Sequence, residues 1–361
     1  MSDSEPDNDL LDFLRGHFAK ATITSQIPET KVLEGAEYVY DNSIDVALDY
    51  QCTKAAAAMI YDQMQRKEYC TKTWSSHELH PKAKDESTVA FIFTMDLLNF
   101  SFWSEKDDEE RFAVEYKDKR WTGYLSLVAS LQRALDEGKL FPLRSEFDAY
   151  LDHRNSHHIS RFLAGWERMH GRSPQACLQE LYRGRDTTVQ RAISLSSRSW
   201  SSPVWGVKHL FLLHQVLITD FPPQKYQCSF TNCIAAADNS AAALVNLLAD
   251  NFPCFNDVVR FENRKSVRLL KRAQICVADI WAAFDGEGSG KFHDIDKITM
   301  FADYRVPQIL NTLGCLWYSP KLETAIRDKK IIPSGHSWEI QMRGMCHDHR
   351  WIVRWLTCDR M

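Results

Sequence analysis

SVRLLKRAQICVADIWAAFDGEGSGKFHDIDKITMFADYRVPQIL, residues 266–310, holds a helical pattern, a glycine-rich break and the entry to a second helix, and its reading decides the fold. Leu270, Ala273, Val277, Ile280, Trp281 and Phe284 recur at helical spacing, which predicts a helix over 266–284 with that stripe in the core. Lys271 and Gln274, three apart, lie on a neighbouring face, where they are either solvated or turned into a cleft beside Asp303. Proline favours the first helical position, so a second helix is expected from about Pro307, with Asp303, Tyr304 and Arg305 just ahead of it. Asp303 and Arg305 read either as a simple salt bridge or as one negative charge and a fork of donors at a pocket wall.

Working outward, helical patterns recur after Asp49 to about residue 65 and over 121–138, 176–182, 235–248, 307–313 and 320–329. The run STVAFIFTMDLLNFSFW, residues 87–103, is β-branched and aromatic at first. Its front half reads as a buried strand and its back half as a turn or helix start. Residues 77–86 read as a polar connection and 104–119 as a charged, solvated segment. The fold class is therefore mainly α with few short strands, including a small sheet near Ala90. One unit over 29–345 is expected, with an acidic flexible tail over 1–28 carrying a short helix near 10–18. An atypical low-complexity insertion covers about 186–223, and an atypical end covers 346–361.

Composition narrows the function. The 44 Lys and Arg against 48 Asp and Glu give a net charge of −4, which argues against direct binding of duplex DNA or long RNA and leaves room for a small anion. Ten scattered cysteines without a CxxC pair read as reduced thiols of a cytosolic or nuclear protein. The start has no secretory pattern, and the most apolar segment, 207–221, is interrupted by His209, His214 and Asp220, so no membrane association is expected. No P-loop, GxGxxG or GxSxG occurs. The histidines at 153, 157, 158, 347 and 349 lack zinc-hydrolase spacing. DGEGSGKFHDID, residues 285–296, partly matches a calcium loop, but Asp296 stands where a bidentate Glu is needed, and a glycine-rich turn is the competing reading.

The aromatic content, 12% of the chain, is high enough to furnish both a core and a slot for a planar ring. Asp96 sits in such a run, between Met95 and Leu97 and ahead of Asn99, Phe100, Phe102 and Trp103. A carboxylate there is costly unless hydrogen-bonded or solvated, so it either caps a local turn or lines a cleft.

The strings HPKAKDESTVAFIFTMDLLNFSFWSE, YLSLVASLQRALDEG, LLKRAQICVADIWAAFDGEGSGKFHDIDKITMFADYRVPQILNTLG and EIQMRG resemble the queuosine salvage protein family from about Tyr40 to Gly344. The resemblance implies an enzyme that cleaves the N-glycosidic bond of queuosine 5′-phosphate and releases queuine, a 7-deazaguanine base. It also implies a helical fold similar to helix-hairpin-helix DNA glycosylases. By that analogy the catalytic carboxylate opens the helix after the loop, which points to Asp303, with Asp294 as second candidate. Asp96 and Asn99 would hydrogen-bond the guanine-like edge, and Phe100, Phe102, Trp103 and Tyr304 would stack on the base. Lys271, Arg305 and Arg343 would supply donors to the 5′-phosphate, with Gln274 in the same cleft. The expectation is a monomer that needs no metal or cofactor and uses water as final acceptor. Two readings from other classes stay open: a non-catalytic queuine or nucleotide-binding protein, and a calcium-binding interaction protein built on 285–296. The 191–221 region and the C-terminal end depart from the family pattern.

Overall fold

The computed structural model describes residues 28–66, 72–99, 113–136, 226, 229–262 and 264–347. In chain order its elements are α1 (Val32–Asn42), β1 (Val46–Leu48), α2 (Tyr50–Arg66), α3 (Lys72–Ser76), α4 (Glu86–Leu98), β2 (Ala113–Tyr116), β3 (Lys119–Thr122) and α5 (Tyr124–Asp136). After these come α6 (Phe230–Ala236), α7 (Ala241–Asn251), β4 (Val258–Phe261), β5 (Lys265–Arg268), α8 (Lys271–Ala283), α9 (Arg305–Thr312), β6 (Leu316–Tyr318), α10 (Pro320–Arg327) and α11 (Ser337–His347). The described part is mainly helical, as expected. Its strands form antiparallel pairs only, β1 with β6, β2 with β3 and β4 with β5.

α4 lies at the centre of the largest apolar cluster. Val89, Phe91, Ile92, Phe93, Met95 and Leu97 point to every side of it and all are buried. Phe93 stacks on Phe230 of α6 and meets Phe252 and Phe255 edge-on, at centroid distances of 5.0 and 5.3 Å. The expected strand and sheet near Ala90 are therefore wrong. A helix that is apolar all round shows no 3.6-residue period, so the run could not be told from a buried strand by pattern. The deciding signal stands just before it: the Asp85 carboxylate accepts from the backbone N–H groups of Ser87 and Thr88 at 3.0 and 3.2 Å and starts the helix.

Three further boundaries shift. The expected helix over 121–138 surrenders Trp121 to β3, and the segment expected to be merely solvated ends in the β2–β3 hairpin, whose tip residues Lys117 and Asp118 both adopt positive φ, 51° and 57°. The pattern over 235–248 is two helices, α6 and α7. They are separated by a turn in which Asp238 and Asn239 have positive φ, and Ser240 Oγ caps the second by accepting from Ala243 N–H. Residues 265–268 are strand β5, not helix, because the N–H groups of Leu269 and Leu270 both donate to the Asp257 carbonyl and hold Leu270 at φ 50°. The expected helix at 176–182, residues 1–27 and the insertion at 186–223 lie outside the described residues.

The two ends of the described chain clasp each other. β1 pairs with β6 in the register Val46 to Tyr318. Gln341 Oε1, fully buried, accepts from Ser43 Oγ and from the backbone N–H groups of Ile44 and Asp45. α11 crosses α1 so closely that a Cβ at Gly344 would stand 2.6 Å from Val39 Cγ1. Gly344→Ala is expected to cost about 1–3 kcal/mol through this overlap, read as a lowered urea midpoint; unchanged stability would mean that α1 and α11 can separate without loss.

Candidate active site

Gln274 is fully buried and clamps two segments together. Its Nε2 donates to the Leu269 carbonyl, and its Oε1 accepts from Thr299 N–H and Oγ1 at 2.8 and 2.9 Å. The loop so anchored delivers Asp303. Oδ1 of Asp303 accepts from the backbone N–H groups of Arg305 and Val306 at 2.7 and 3.3 Å. Pro307, next in line, has no N–H to satisfy, so the helix starts at Arg305 rather than at Pro307. Oδ2 faces Lys271 Nζ at 3.8 Å, so Asp303 pairs with Lys271 rather than with Arg305, which is exposed. Tyr304 is half-buried beside them.

Arg343 holds this arrangement from behind. Its guanidinium grips the Asp257 carboxylate with both Nη atoms, at 2.5 and 3.3 Å, donates to Glu339 at 2.8 Å, and through Nε donates to the carbonyl of Ala302 at 2.9 Å. Asp257 also accepts from Lys271 N–H at 3.2 Å. Burial pushes the Asp257 carboxyl up, yet the Arg343 guanidinium outweighs it and holds the group below the usual carboxylate range. Arg343, expected among the phosphate donors, has its donors engaged inside the protein.

A second group of charges lies where α4 packs on α8. Asp96 is fully buried and neither of its oxygens has a hydrogen-bond partner. Burial first, and the nearby Asp279 carboxyl second, raise Asp96 well above the ordinary range, while Asn99, Lys271 and Arg272 pull the other way. Asp279 on α8 is raised too, chiefly by burial, with Trp74 and Lys271 opposing. Lys271 is pushed down by burial, partly offset by the attraction of Asp303, 3.8 Å from its Nζ, and of Asp96. Arg272 donates to the carbonyl of Leu97 at 3.3 Å. Trp74 on α3 buries its Nε1 on the Asp279 side of this group. Tyr124 on α5 has its hydroxyl pushed up by burial and by the charges of Asp279 and Asp96. Asn99 is buried at the end of α4, where its N–H donates to the Asp96 carbonyl. Phe100, Phe102 and Trp103 lie outside the described residues.

Asp294 stands elsewhere, under the start of α7. Its carboxylate accepts from Ser240 Oγ at 2.7 Å and from the N–H groups of Ala241 and Ala242 at 2.5 and 3.4 Å, a helix cap that occupies both oxygens. In the calcium-like loop Asp285 pairs with Lys84 at 2.6 Å. Gly290 packs so tightly that a Cβ would stand 2.7 Å from the Ile280 carbonyl. Among the described residues no group of three or more His, Cys, Asp or Glu side chains could hold a metal ion.

The structure thus brings Asp303, Lys271, Gln274 and Asp96 to one region and puts Asp294 at a different helix end. Asp257, Asp279 and Trp74 were not singled out from the sequence. The signal for Asp279 was available, since it is a lone acid in the apolar run ICVADIW, the same feature that marked Asp96.

Residues 79–165 and 208–348 match the family model described as queuosine salvage protein. The chain belongs to the queuosine salvage protein family. The matched spans contain Asp96, Asp257, Lys271, Gln274, Asp279, Asp303 and Arg343. A relative from Schizosaccharomyces pombe is 36% identical over 321 residues, covering 87% of this chain and 82% of its own length. Relatives from Nematostella vectensis and Mus musculus are 34% and 33% identical, covering 86% and 88% of this chain and 78% and 82% of theirs. All three carry the name queuosine 5′-phosphate N-glycosylase/hydrolase.

The raised carboxyls have a consequence for stability. The folded protein keeps protons on the Asp96–Asp279 pair that the unfolded chain releases above about pH 4, so the native state binds more protons and stability falls as pH rises toward the folded pKa values. Asp96→Asn, which mimics the protonated acid, is expected to flatten the loss between about pH 5 and pH 8 in urea unfolding. An unchanged slope would show that the pair is ionised in the native state.

Proposed function

We propose that this protein hydrolyses the N-glycosidic bond of queuosine 5′-phosphate, giving queuine and ribose 5-phosphate, with Asp303 as the catalytic carboxylate. The observation that carries the reading is the shared name of relatives that align over more than four fifths of the chain. The geometry around Asp303 agrees with it. Breaking the bond develops oxocarbenium character at the anomeric carbon, which a fixed carboxylate stabilises electrostatically or captures covalently before water completes the reaction. Asp303 is fixed in this way: Oδ1 is tied to the start of α9, and Oδ2 is left facing Lys271. Asp294, with both oxygens engaged at α7, is the weaker candidate.

A 7-deazapurine has no N7 to protonate, so the departing base is assisted elsewhere on its ring. Asp96 and Asn99 hydrogen-bond the guanine-like edge, and burial lets Asp96 hold a proton against the negative charge that the base acquires. Phe100, Phe102, Trp103 and Tyr304 are the stacking candidates. Arg305, exposed in the first turn of α9, serves the 5′-phosphate with Lys271. The enzyme works as a monomer in the cytosol or nucleus, on the free nucleotide rather than on tRNA, a reading supported by the net charge of −4. Its catalytic unit covers residues 29–345 on a helix-hairpin-helix glycosylase plan.

Incubation with queuosine 5′-phosphate and chromatography for free queuine tests the activity; a folded protein that releases none sinks the reading. For the mechanism, Asp303→Asn keeps an amide oxygen for the helix cap and is expected to lower turnover by about a thousandfold or more. Near-normal turnover would move the role to Asp294.

A further inference from the structure

α10 ends abruptly, and the way it ends leaves a cleft beside it. Its last turn closes when Lys330 N–H donates to the Ala325 carbonyl at 2.9 Å, with Lys329 at φ 56° in the left-handed position that such an end requires. The chain continues through Ile331, Ile332 and Pro333 and turns at His336, whose N–H donates to the Pro333 carbonyl at 3.1 Å, before α11 begins. Between this connection, the start of α11 and the face of α10 that carries Lys321, Thr324 and Ala325 lies a cavity of about 410 Å³, within the usual size of small-molecule sites. None of the residues lining it belongs to the group around Asp303.

We propose that this cleft is a binding site for a flat aromatic anion, one or two fused rings that carry a carboxylate or a phosphate. The walls account for the ring. Ala325, Ile331, Ile332 and Pro333 line the cleft with aliphatic surface, and Pro333 has no N–H to offer a polar ligand. Ile331 is 73% exposed, a large aliphatic side chain that an occupant would cover. Trp338 adds an aromatic wall that is held in place: its Nε1 donates to Asp45 Oδ2 at 2.9 Å, and the His336 ring lies 4.9 Å from it at an angle of 59°.

The charges account for the sign. Among the described residues no Asp or Glu lines the cleft, whereas Lys321 and Lys330 do. Lys330 Nζ is 3.4 Å from the Asp328 carboxylate, but Lys321 forms no salt bridge among the described residues, and its Nζ lies 5.7 Å from the centre of the Trp338 ring. A ring laid against Trp338 therefore brings its anionic substituent within reach of an ammonium that has no carboxylate of its own. His336 supplies a second donor: its Nδ1 accepts from Trp338 N–H at 3.1 Å, so the neutral ring carries its proton on Nε2. The same set of charges turns away a cationic ring. The assignment stands apart from the glycosylase reading, and its test uses no substrate of that reaction, so either can fail alone.

Fluorine NMR of the full chain labelled with 5-fluorotryptophan tests the site, the Trp338 resonance being the one that Trp338→Phe removes. The titrants are 2-naphthoate, 2-naphthyl phosphate and the neutral 2-naphthamide. At least one of the two anions is expected to shift the Trp338 resonance saturably with a Kd below about 1 mM, and to bind about three- to tenfold more tightly than the amide. The tighter of the two identifies the headgroup. Lys321→Gln, at an exposed position, should remove most of the preference for the anion while the amide binds as before. No saturable shift with either anion, or a wild-type protein that binds the amide as tightly as both anions, overturns the proposal whether or not the variants fold. So does a Lys321→Gln protein that keeps the full preference.

Discussion

The arrangement depends on one largely shielded ion pair. Arg343 on α11 and Asp257 ahead of β4 meet with two nitrogens on two oxygens, and each has further duties that the other makes possible. The Asp257 carbonyl receives two N–H groups and its carboxylate a third, which sets the unusual backbone at Leu270 and the first turn of α8. Arg343 reaches past it to the Ala302 carbonyl, the residue before Asp303. Removing Arg343 would leave the Asp257 carboxylate without its two-nitrogen partner, whereas removing Asp257 leaves Arg343 still paired with Glu339. The positions of Lys271 and Asp303 are thus set by a contact that neither of them makes.

From that contact the site is built by division of labour within single side chains. Asp303 gives one oxygen to the helix and presents the other. Gln274 uses its amide nitrogen on its own helix entry and its oxygen on the Thr299 loop. Groups held this way do not have to reorganise when charge develops near them, which is the condition under which a carboxylate stabilises a cation most effectively. The same logic distinguishes Asp96, whose oxygens are tied neither to a helix end nor to a fixed cation.

Much of this was legible in the sequence, and the limits have physical causes. The stripe Leu270, Ala273, Val277, Ile280 and Phe284 is buried as its spacing implied, because α8 has one apolar face; Trp281 alone is only half-buried. α4 was misread because it has no polar face from which a period could be taken. The boundary errors at Trp121, Asp238 and Ser266 all fall where backbone turns, not side-chain patterns, decide the geometry. At the site, Lys271 and Gln274 could be read either as solvated or as turned into a cleft beside Asp303, and their long-range partners Asp303 and Thr299 decide for burial. Asp257 lies in an unremarkable loop sequence, and its importance comes from Arg343, eighty-six residues away.

The clasp between the ends of the described chain bears on how the protein is made. β1 finds its hydrogen-bonding partner only in residues 316–318, the loop at Ser43–Asp45 is closed by Gln341, and Val39 awaits Gly344. During synthesis α1 meets β5 and Glu262 once residue 268 has been added, whereas the partner of β1 at 316–318 and that of Val39 at Gly344 come later still, so this part of the clasp closes after α1 has its first contacts. The Asp257–Arg343 pair closes in the same late step, and the hold of Arg343 on Ala302, beside Asp303, is added then to a loop that Gln274 has already tied at Thr299.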